Sequence, residues 1–554
     1  MAKRTRRDST SYPDIPAPKR LRDVRAPPID RLSSLSNELL LHILSFLPIE
    51  SLNVCQRLSR RFHALGGDSE LWKRQYYSHW VRPRARRLAN IKRSSKPSGS
   101  EYSPKVSTWL DHGHLAQEGQ VTNWKRQYRL RHNWSKGLCR VTEVELPQPS
   151  CPPVLVKLCA GVVFTTDTAH GLRAWAAKDP TRCLATASFE DSVAQPTALA
   201  VSEENKEIEI VVGFNDGRFS RYGLDVHKSC FILRSVRVAF SDGAITAMAL
   251  SSPYLLVLSQ WKILSLHRLE PPANHSEGSD NPEPRELVSL RADNIVAPMT
   301  LSLRVSALEI IVTIVYSFFH IGCGWSLGIQ ELRFDQQGQQ LGSRLASTVD
   351  SQYGINPLQK DPTANSGQPS TTTGLTNHTV TAPTAPSILH QQPPTSMSYS
   401  HPYLLTAHAD NTLTMYLVVS DSSCLFVRGG QRLWGHTSSV SAVQVTNRGK
   451  AVSVSSHGNE VRIWELETTI SSLGSRRPLK DDSSIEVSPD KRDQSRTSPN
   501  LAGQKPPKFG LELFTNTSQN FSQIHECVGF DDERVYLLRE KDIGTHLLEC
   551  YDFT

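Results

Sequence analysis

The stretch Leu433–Leu466, LWGHTSSVSAVQVTNRGKAVSVSSHGNEVRIWEL, decides the fold. It closes on a short pattern: a tight polar turn, an apolar residue at Val461, and an aromatic three positions later at Trp464. The same pattern ends HGLRAW at Trp175, NDGRFSRY at Tyr222, ADNTLTMY at Tyr416 and GTHLLECY at Tyr551, with degenerate copies near His267 and Leu332. Spacing is regular: 47 residues separate Trp175 from Tyr222, 45 separate Tyr222 from His267, and 48 separate Tyr416 from Trp464. Apolar strand runs such as EIEIVVGF, YLLVLS, EIIVTIVYSFF and ERVYLL lie between the turns. A fixed period of this length, with a small sheet in each unit, is the signature of an all-β repeat array, in which neighbours bury each other's faces.

The unit at Leu433–Leu466 resembles the WD repeat through Gly435, His436, Trp464 and Glu465, and blades of that family run about 40 to 45 residues. The resemblance implies a β-propeller over residues 145–554 with about seven blades, whose ring closure removes exposed sheet edges. It also implies a buried set of histidine, strand hydroxyl, turn aspartate and tryptophan. Here Gly458 or Asn459 stands where the aspartate is expected, whereas Asp216 and Asp410 hold that position in other units. His436, Asp216 and Asp410 therefore read as structural, because such turns need their backbone amides satisfied. Three polar stretches, 271–286, 336–400 and 472–508, read as disordered inserts outside the blades; the last holds Ser-Pro pairs at Ser488 and Ser498, candidate phosphorylation sites.

Upstream, Leu35–Tyr77 reads LSNELLLHILSFLPIESLNVCQRLSRRFHALGGDSELWKRQYY. Leu39, Leu40, Ile43, Leu44, Phe46 and Leu47 fall at helical spacing before Pro48. Leu52, Cys55, Leu58, Phe62 and Leu65 repeat the pattern until Gly66-Gly67, which predicts two amphipathic helices too short to bury these faces alone. The stretch resembles the F-box through Leu35, Glu38, Ile43, Leu44, Leu47, Leu52, Cys55, Arg61, Phe62, Leu71 and Trp72, with Ser36 where the family prefers proline. Serine is a good helix-start residue. The resemblance implies that residues 31–77 dock on a Skp-type adaptor and through it on a cullin, with Leu35, Glu38, Ile43, Leu44, Leu47, Leu52, Cys55, Leu58 and Phe62 as the adaptor-binding set.

Between the two regions, WKRQYYSHW from Trp72 is echoed by WKRQYRLRHNW from Trp124. Residues 78–137 thus read as a basic helical connector anchored by Trp72, Tyr76, Trp80, Trp124, Tyr128 and Trp134. F-box proteins with propellers carry a similar Asn-Trp-x-x-Gly where the connector meets the first blade, as at Asn133, Trp134 and Gly137. Arg82, Arg84, Arg86, Arg87, Lys92 and Arg93 between the copies suit a solvated linker better than a nucleic-acid site, because the neighbouring aromatics fit packing rather than base stacking.

Charge divides the chain. Net charge is +8, of which the first 135 residues carry +15, leaving −7 for the remainder. Residues 1–30 read as a disordered basic tail whose KRTRR and PAPKRLR suit nuclear import, so nucleus, cytoplasm or both are the expected locations. The ten cysteines show no zinc or dithiol spacing and read as reduced thiols. The uncharged run Ile310–Ile329 reads as two buried strands joined by a turn, not as a bilayer span.

No phosphate loop, zinc spacing, serine elbow or catalytic cysteine motif is present, so no cofactor or metal is expected and the chain reads as non-enzymatic. The resemblances together imply a substrate receptor of a ubiquitin ligase: an F-box on the ligase, and a propeller holding a protein substrate, phosphorylated or not. The rival readings are an adaptor-bound scaffold without a ligase role and a nuclear nucleic-acid-associated propeller.

Overall fold

The computed structural model describes residues 31–82, 122–146, 154–269, 284–352, 388–466, 484–489 and 524–554, less short breaks at 33, 178, 190–194, 205–206, 227, 238–242, 292–295, 307, 422–423, 456–459 and 543–544. The basic tail 1–30 and the connector arginines beyond Arg82 lie outside the described residues. The chain forms two compact units, one running to Val81 and including Asn123–Lys125, the other holding the residues from Arg126 onward.

The first unit is helical. Helix α1 (Asn37–Leu44) starts at Ser36, whose hydroxyl accepts from the Leu39 amide at 3.4 Å, so serine caps the helix where the F-box family prefers proline. The second predicted helix is two: α2 (Ile49–Cys55) and α3 (Arg60–Gly66). The break falls at Ser59, whose hydroxyl accepts from the Phe62 amide at 3.2 Å and so caps a new N-terminus. Arg61 ties α3 back to the start of α1, donating to Asn37 Oδ1 and to the Leu35 carbonyl.

Gly66 is where α3 meets its neighbours. Its carbonyl accepts from Gln56 Nε2 and, at 2.8 Å, from the Trp72 indole, while a Cβ there would meet the Gln56 side chain at 2.6 Å. Helix α4 (Ser69–Tyr76) then runs into a π turn (Tyr77–Val81). Trp124 returns to pack on Tyr76 and Tyr77, with ring centroids 5.5 and 5.7 Å apart, so the tryptophan that opens the second copy of the Trp-basic-basic-Gln-Tyr motif seats on the tyrosines at the end of the first.

The second unit is a β-propeller of seven sheets. Blades 1 to 6 each take four consecutive antiparallel strands, spanning 155–187, 196–237, 245–291, 296–347, 396–433 and 440–486. Blade 7 takes three strands from 524–552 and its fourth from Leu138–Leu146. The propeller therefore begins at Leu138 rather than at 145, and the connector leads into the last blade rather than the first. Pairing Arg140 with Asp552 through Leu146 with His546 closes the ring by joining the first strand to the last, which leaves only the outermost strand of each blade as a sheet edge. Trp175, Tyr222, His267, Leu332, Tyr416, Trp464 and Tyr551 all lie on the third strand of their blades, one per blade.

The polar stretches expected to lie outside the blades reach into them. Arg285–Arg291 is the fourth strand of blade 3, Gln340–Ser347 that of blade 4, and Ser484–Glu486 that of blade 6, while Ser396–Ser400 opens blade 5. A one-turn helix α6 (Thr348–Gln352) follows blade 4, the connector helix Trp124–Lys136 being α5. The fourth strand is outermost and half-exposed, so segments such as RELVSLR carry too little apolar signal to announce themselves. Ser488–Pro489 then pairs in parallel with Leu138–Cys139, linking blade 6 to blade 7.

The run Ile310–Ile329 forms two paired strands, Ile310–His320 and Gly324–Phe334, turning at Ile321–Cys323. Among the described residues no helix is long and apolar enough to cross a membrane. The described cysteines with placed side chains are unbridged.

Candidate functional site

Helix α1 carries two apolar stripes. Leu40 and Leu44, four apart, are 1% and 3% exposed and form the core of the unit with Leu52, Phe62, Leu65, Leu71 and Trp72. Leu39, Ile43 and Phe46, at the next i, i+4, i+7 positions, face solvent at 54%, 42% and 67% exposure, joined by exposed Val54 and Leu58. Of the nine residues expected to bind an adaptor, Leu44, Leu52 and Phe62 are buried inside the unit, Leu35, Leu47 and Cys55 are half-buried, and Glu38, Ile43 and Leu58 are at the surface. Leu39, Phe46 and Val54 complete the exposed apolar face; the offset of one residue between the two stripes is the signal that marks the α1 pair. Hydrogen bonds within the first turn, from its own backbone amide and from Ser36, hold the Glu38 carboxyl below its ordinary pKa.

In the propeller, His436 Nε2 lies 2.6 Å from the Ser453 hydroxyl, which also accepts from the Trp464 indole at 2.7 Å. The turn carboxylate comes from Glu460, one position past the expected place: it lies 3.4 Å from His436 Nδ1 and accepts from the Thr437 amide at 3.0 Å. Asp216 and Asp410 cap their turns, accepting from the Arg218 and Thr412 amides. All three residues expected to be structural are thus engaged in turn or blade hydrogen bonding.

Four arginines at or beside the third strands of their blades are committed within those blades. Arg173 pairs with Asp167, Arg218 with Asp216, Arg221 with Glu209 and Arg462 with Glu460. Among the described residues no group of three or more His, Cys, Asp or Glu is placed to hold a metal ion.

The two faces of the ring differ. In an antiparallel four-strand blade, the first and third turns lie on one face, and the second turn and the crossing to the next blade lie on the other. Residues Arg126–Lys136 of α5 pack on the first of these. Trp134 stacks on Phe553 with centroids 4.0 Å apart and donates its indole N–H to the Asp532 carbonyl at 2.7 Å. Lys450, in the first turn of blade 6, lies 3.9 Å over the same indole, with burial pushing its amine down to about 8. Arg126 and Arg131 reach Glu533 and Glu465 on that side. Trp72, Tyr76, Trp124, Tyr128 and Trp134 are all buried, so these aromatic anchors of the repeated motif are packing residues.

Residues 139–554 match the model of the F-box protein pof12 β-propeller family, and residues 32–78 match the F-box-like domain. The chain is 22% identical to the F-box protein pof12 of Schizosaccharomyces pombe over 454 residues, which cover 79% of this chain and 85% of that protein. Solved structures similar to it include the C-terminal WD40 domain of Sif2, at 10% identity and TM-score 0.38, covering 74% of this chain and 98% of that one. U3-55K, at 9% identity and TM-score 0.38, has the same coverage of 74% and 98%.

Proposed function

The chain belongs to the F-box protein pof12 β-propeller family and carries an F-box-like domain before the propeller, and from that premise we propose that it is the substrate-recognition subunit of a Skp–cullin–F-box ubiquitin ligase. The observation that carries the reading is the apolar face of Leu39, Ile43, Phe46, Val54 and Leu58, left uncovered by its own unit. A helical unit this small gains stability by completing such a face with a partner, and a Skp-type adaptor is the partner an F-box implies. Leu35, Leu47 and Cys55 are half-buried, Glu38 is exposed, and Leu44, Leu52 and Phe62 would act on the adaptor through the core of the unit.

The chain's own contribution is tethering. Holding a substrate and the ligase on one molecule replaces a bimolecular encounter by an effective concentration of order mM. Catalysis of ubiquitin transfer belongs to the other subunits in this reading, and the basic N-terminus, read as a nuclear import signal, fits a chain of the nucleus, the cytoplasm or both.

The test is a titration of the purified full chain with a Skp-type adaptor, followed by co-purification of cullin. Saturable adaptor binding with cullin in the same complex is the expected result. Adaptor binding without cullin would leave the scaffold reading, and no adaptor binding would overturn both.

A further inference from the structure

The propeller face opposite α5 carries a row of exposed apolar side chains on the described turns and crossings of blades 3 to 6. Trp261, in the second turn of blade 3, is 61% exposed; Phe319 and Ile321, at the second turn of blade 4, are 62% and 98% exposed. Leu389, on the crossing into blade 5, and Trp434, on the crossing from blade 5 to blade 6, are 48% and 65% exposed. The turns and crossings of blades 4 to 6 are tied together. The Trp325 amide and Arg432 Nη2 donate to the His390 and Leu389 carbonyls, both at 2.9 Å, and Asn411 Nδ2 donates to the Thr437 carbonyl at 3.1 Å.

Single exposed apolar residues are ordinary, but a row of three aromatics and two aliphatics across consecutive blade tips is the composition of a binding hot spot. The row is also braced before any partner arrives. Trp261 lies so close to Gly243 that a Cβ there would stand 2.5 Å from the indole nitrogen. Phe319 packs edge-on against Trp325 with centroids 6.0 Å apart, and the Arg432 guanidinium lies 5.9 Å over the Trp434 ring. Side chains already held in place lose little entropy on binding.

Charge decides what the row accepts. Arg432 is shared between Asp410, at 3.8 Å, and the Leu389 carbonyl, while Arg218 and Arg462 on neighbouring blades keep their carboxylates. Beneath the row His390 and His408 stack 3.7 Å apart, and burial keeps both imidazoles neutral at pH 7. A phosphate would compete with carboxylates already in place, whereas an uncharged apolar segment meets no such competitor.

We propose that this row is the substrate-docking surface, and that it takes an extended protein segment with bulky apolar side chains and no phosphate. The inference rests on the receptor reading for calling the bound protein a substrate, but its geometry is independent of the adaptor face.

The test selects short random peptides displayed on phage against the full chain, then titrates synthetic winners by fluorescence polarisation. The expected winners are rich in Leu, Phe, Trp or Met, bind no more tightly when a Ser in them is phosphorylated, and lose about tenfold or more in affinity to the Trp261→Ala, Ile321→Ser, Trp434→Ala triple variant. Ile321→Ser alone, at a fully exposed position, should weaken binding without altering folding and guards against a misfolded triple variant. Ile43→Asp in the helical unit should leave peptide affinity unchanged, so loss of adaptor binding and loss of docking are read separately. Phosphate-dependent or acidic winners, competition by single-stranded oligo-dT, failure to enrich any apolar sequence, or equal binding by the well-folded Ile321→Ser and triple variants would each overturn the proposal.

Discussion

The Ser453 hydroxyl joins Trp464 to His436: it lies 2.7 Å from the indole nitrogen and 2.6 Å from imidazole Nε2, with all three residues buried. Glu460 on the Nδ1 side favours a proton there, so Nε2 accepts from Ser453 while Ser453 accepts from Trp464. Ser453→Ala therefore leaves a buried donor and a buried acceptor unmade. The expected loss is about 2–4 kcal/mol, read as a lower urea midpoint at unchanged slope. An unchanged midpoint would mean that water replaces the hydroxyl.

Acid should unfold the propeller through its histidines. Burial is the main cause that pushes His267 and His408 down to about 3, and His390 and His436 down to about 4, from 6.5. The unfolded chain binds these protons first, so stability is complete above pH 6.5 and is lost as pH falls from 6.5 towards 4. Thermal melts across that window should show a falling Tm, and a His390→Gln, His408→Gln double variant should show a shallower fall. Equal slopes in the two proteins would assign the acid sensitivity to other groups.

Burial separates two kinds of residue in the helical unit. Ile43 is 42% exposed and Leu52 is fully buried. Ile43→Asp should leave Tm nearly unchanged and cut affinity for a Skp-type adaptor by about tenfold or more. Leu52→Ala should cost about 2–5 kcal/mol and act on the adaptor only by loosening the unit. The comparison is made by calorimetry on each variant beside an adaptor titration; a Leu52→Ala protein of wild-type Tm that fails to bind would sink the division.

The blade count was legible because five of the seven third strands couple a tight turn to an aromatic at fixed register, a purely local signal found at Trp175, Tyr222, Tyr416, Trp464 and Tyr551, with the period carrying it through His267 and Leu332. The fourth strands were not, because QLGSRLAS carries polar residues on both faces and SIE is only three residues long, both of them half-exposed. The closing strand was hidden for another reason: Val141 pairs with Tyr551, and nothing local in either segment encodes a partner so far along the chain. In the helical unit the apolar stripes were readable, but the break at Ser59 was not, since exposed Leu58 falls three residues after Cys55 and four before Phe62, at continuous helical spacing. Glu460 was missed because the carboxylate reaches His436 from one residue beyond the expected turn position.

Two glycines with nearly the same backbone test the contact at the seam between blades 6 and 7. Gly137, where α5 gives way to the closing strand, has φ +66°, and Gly161, between the first two strands of blade 1, has φ +71°. Alanine at either position carries the left-handed cost of about 1 kcal/mol. At Gly161 nothing lies within 4 Å of the added Cβ, so that cost should be nearly all of the effect. At Gly137 the Cβ would stand 2.1 Å from the Glu486 carbonyl oxygen, in the last strand of blade 6, and a backbone atom held in a sheet cannot swing aside as a side chain can. Gly137→Ala should therefore cost at least about 2 kcal/mol more than Gly161→Ala in denaturant titrations, since overpacking adds to the backbone term. The extra loss should appear locally as faster amide exchange in Leu138–Val141, where blade 7 begins. Equal losses at the two sites would mean that Ser484–Glu486 yields freely, and that the seam between blades 6 and 7 is not fixed by this approach.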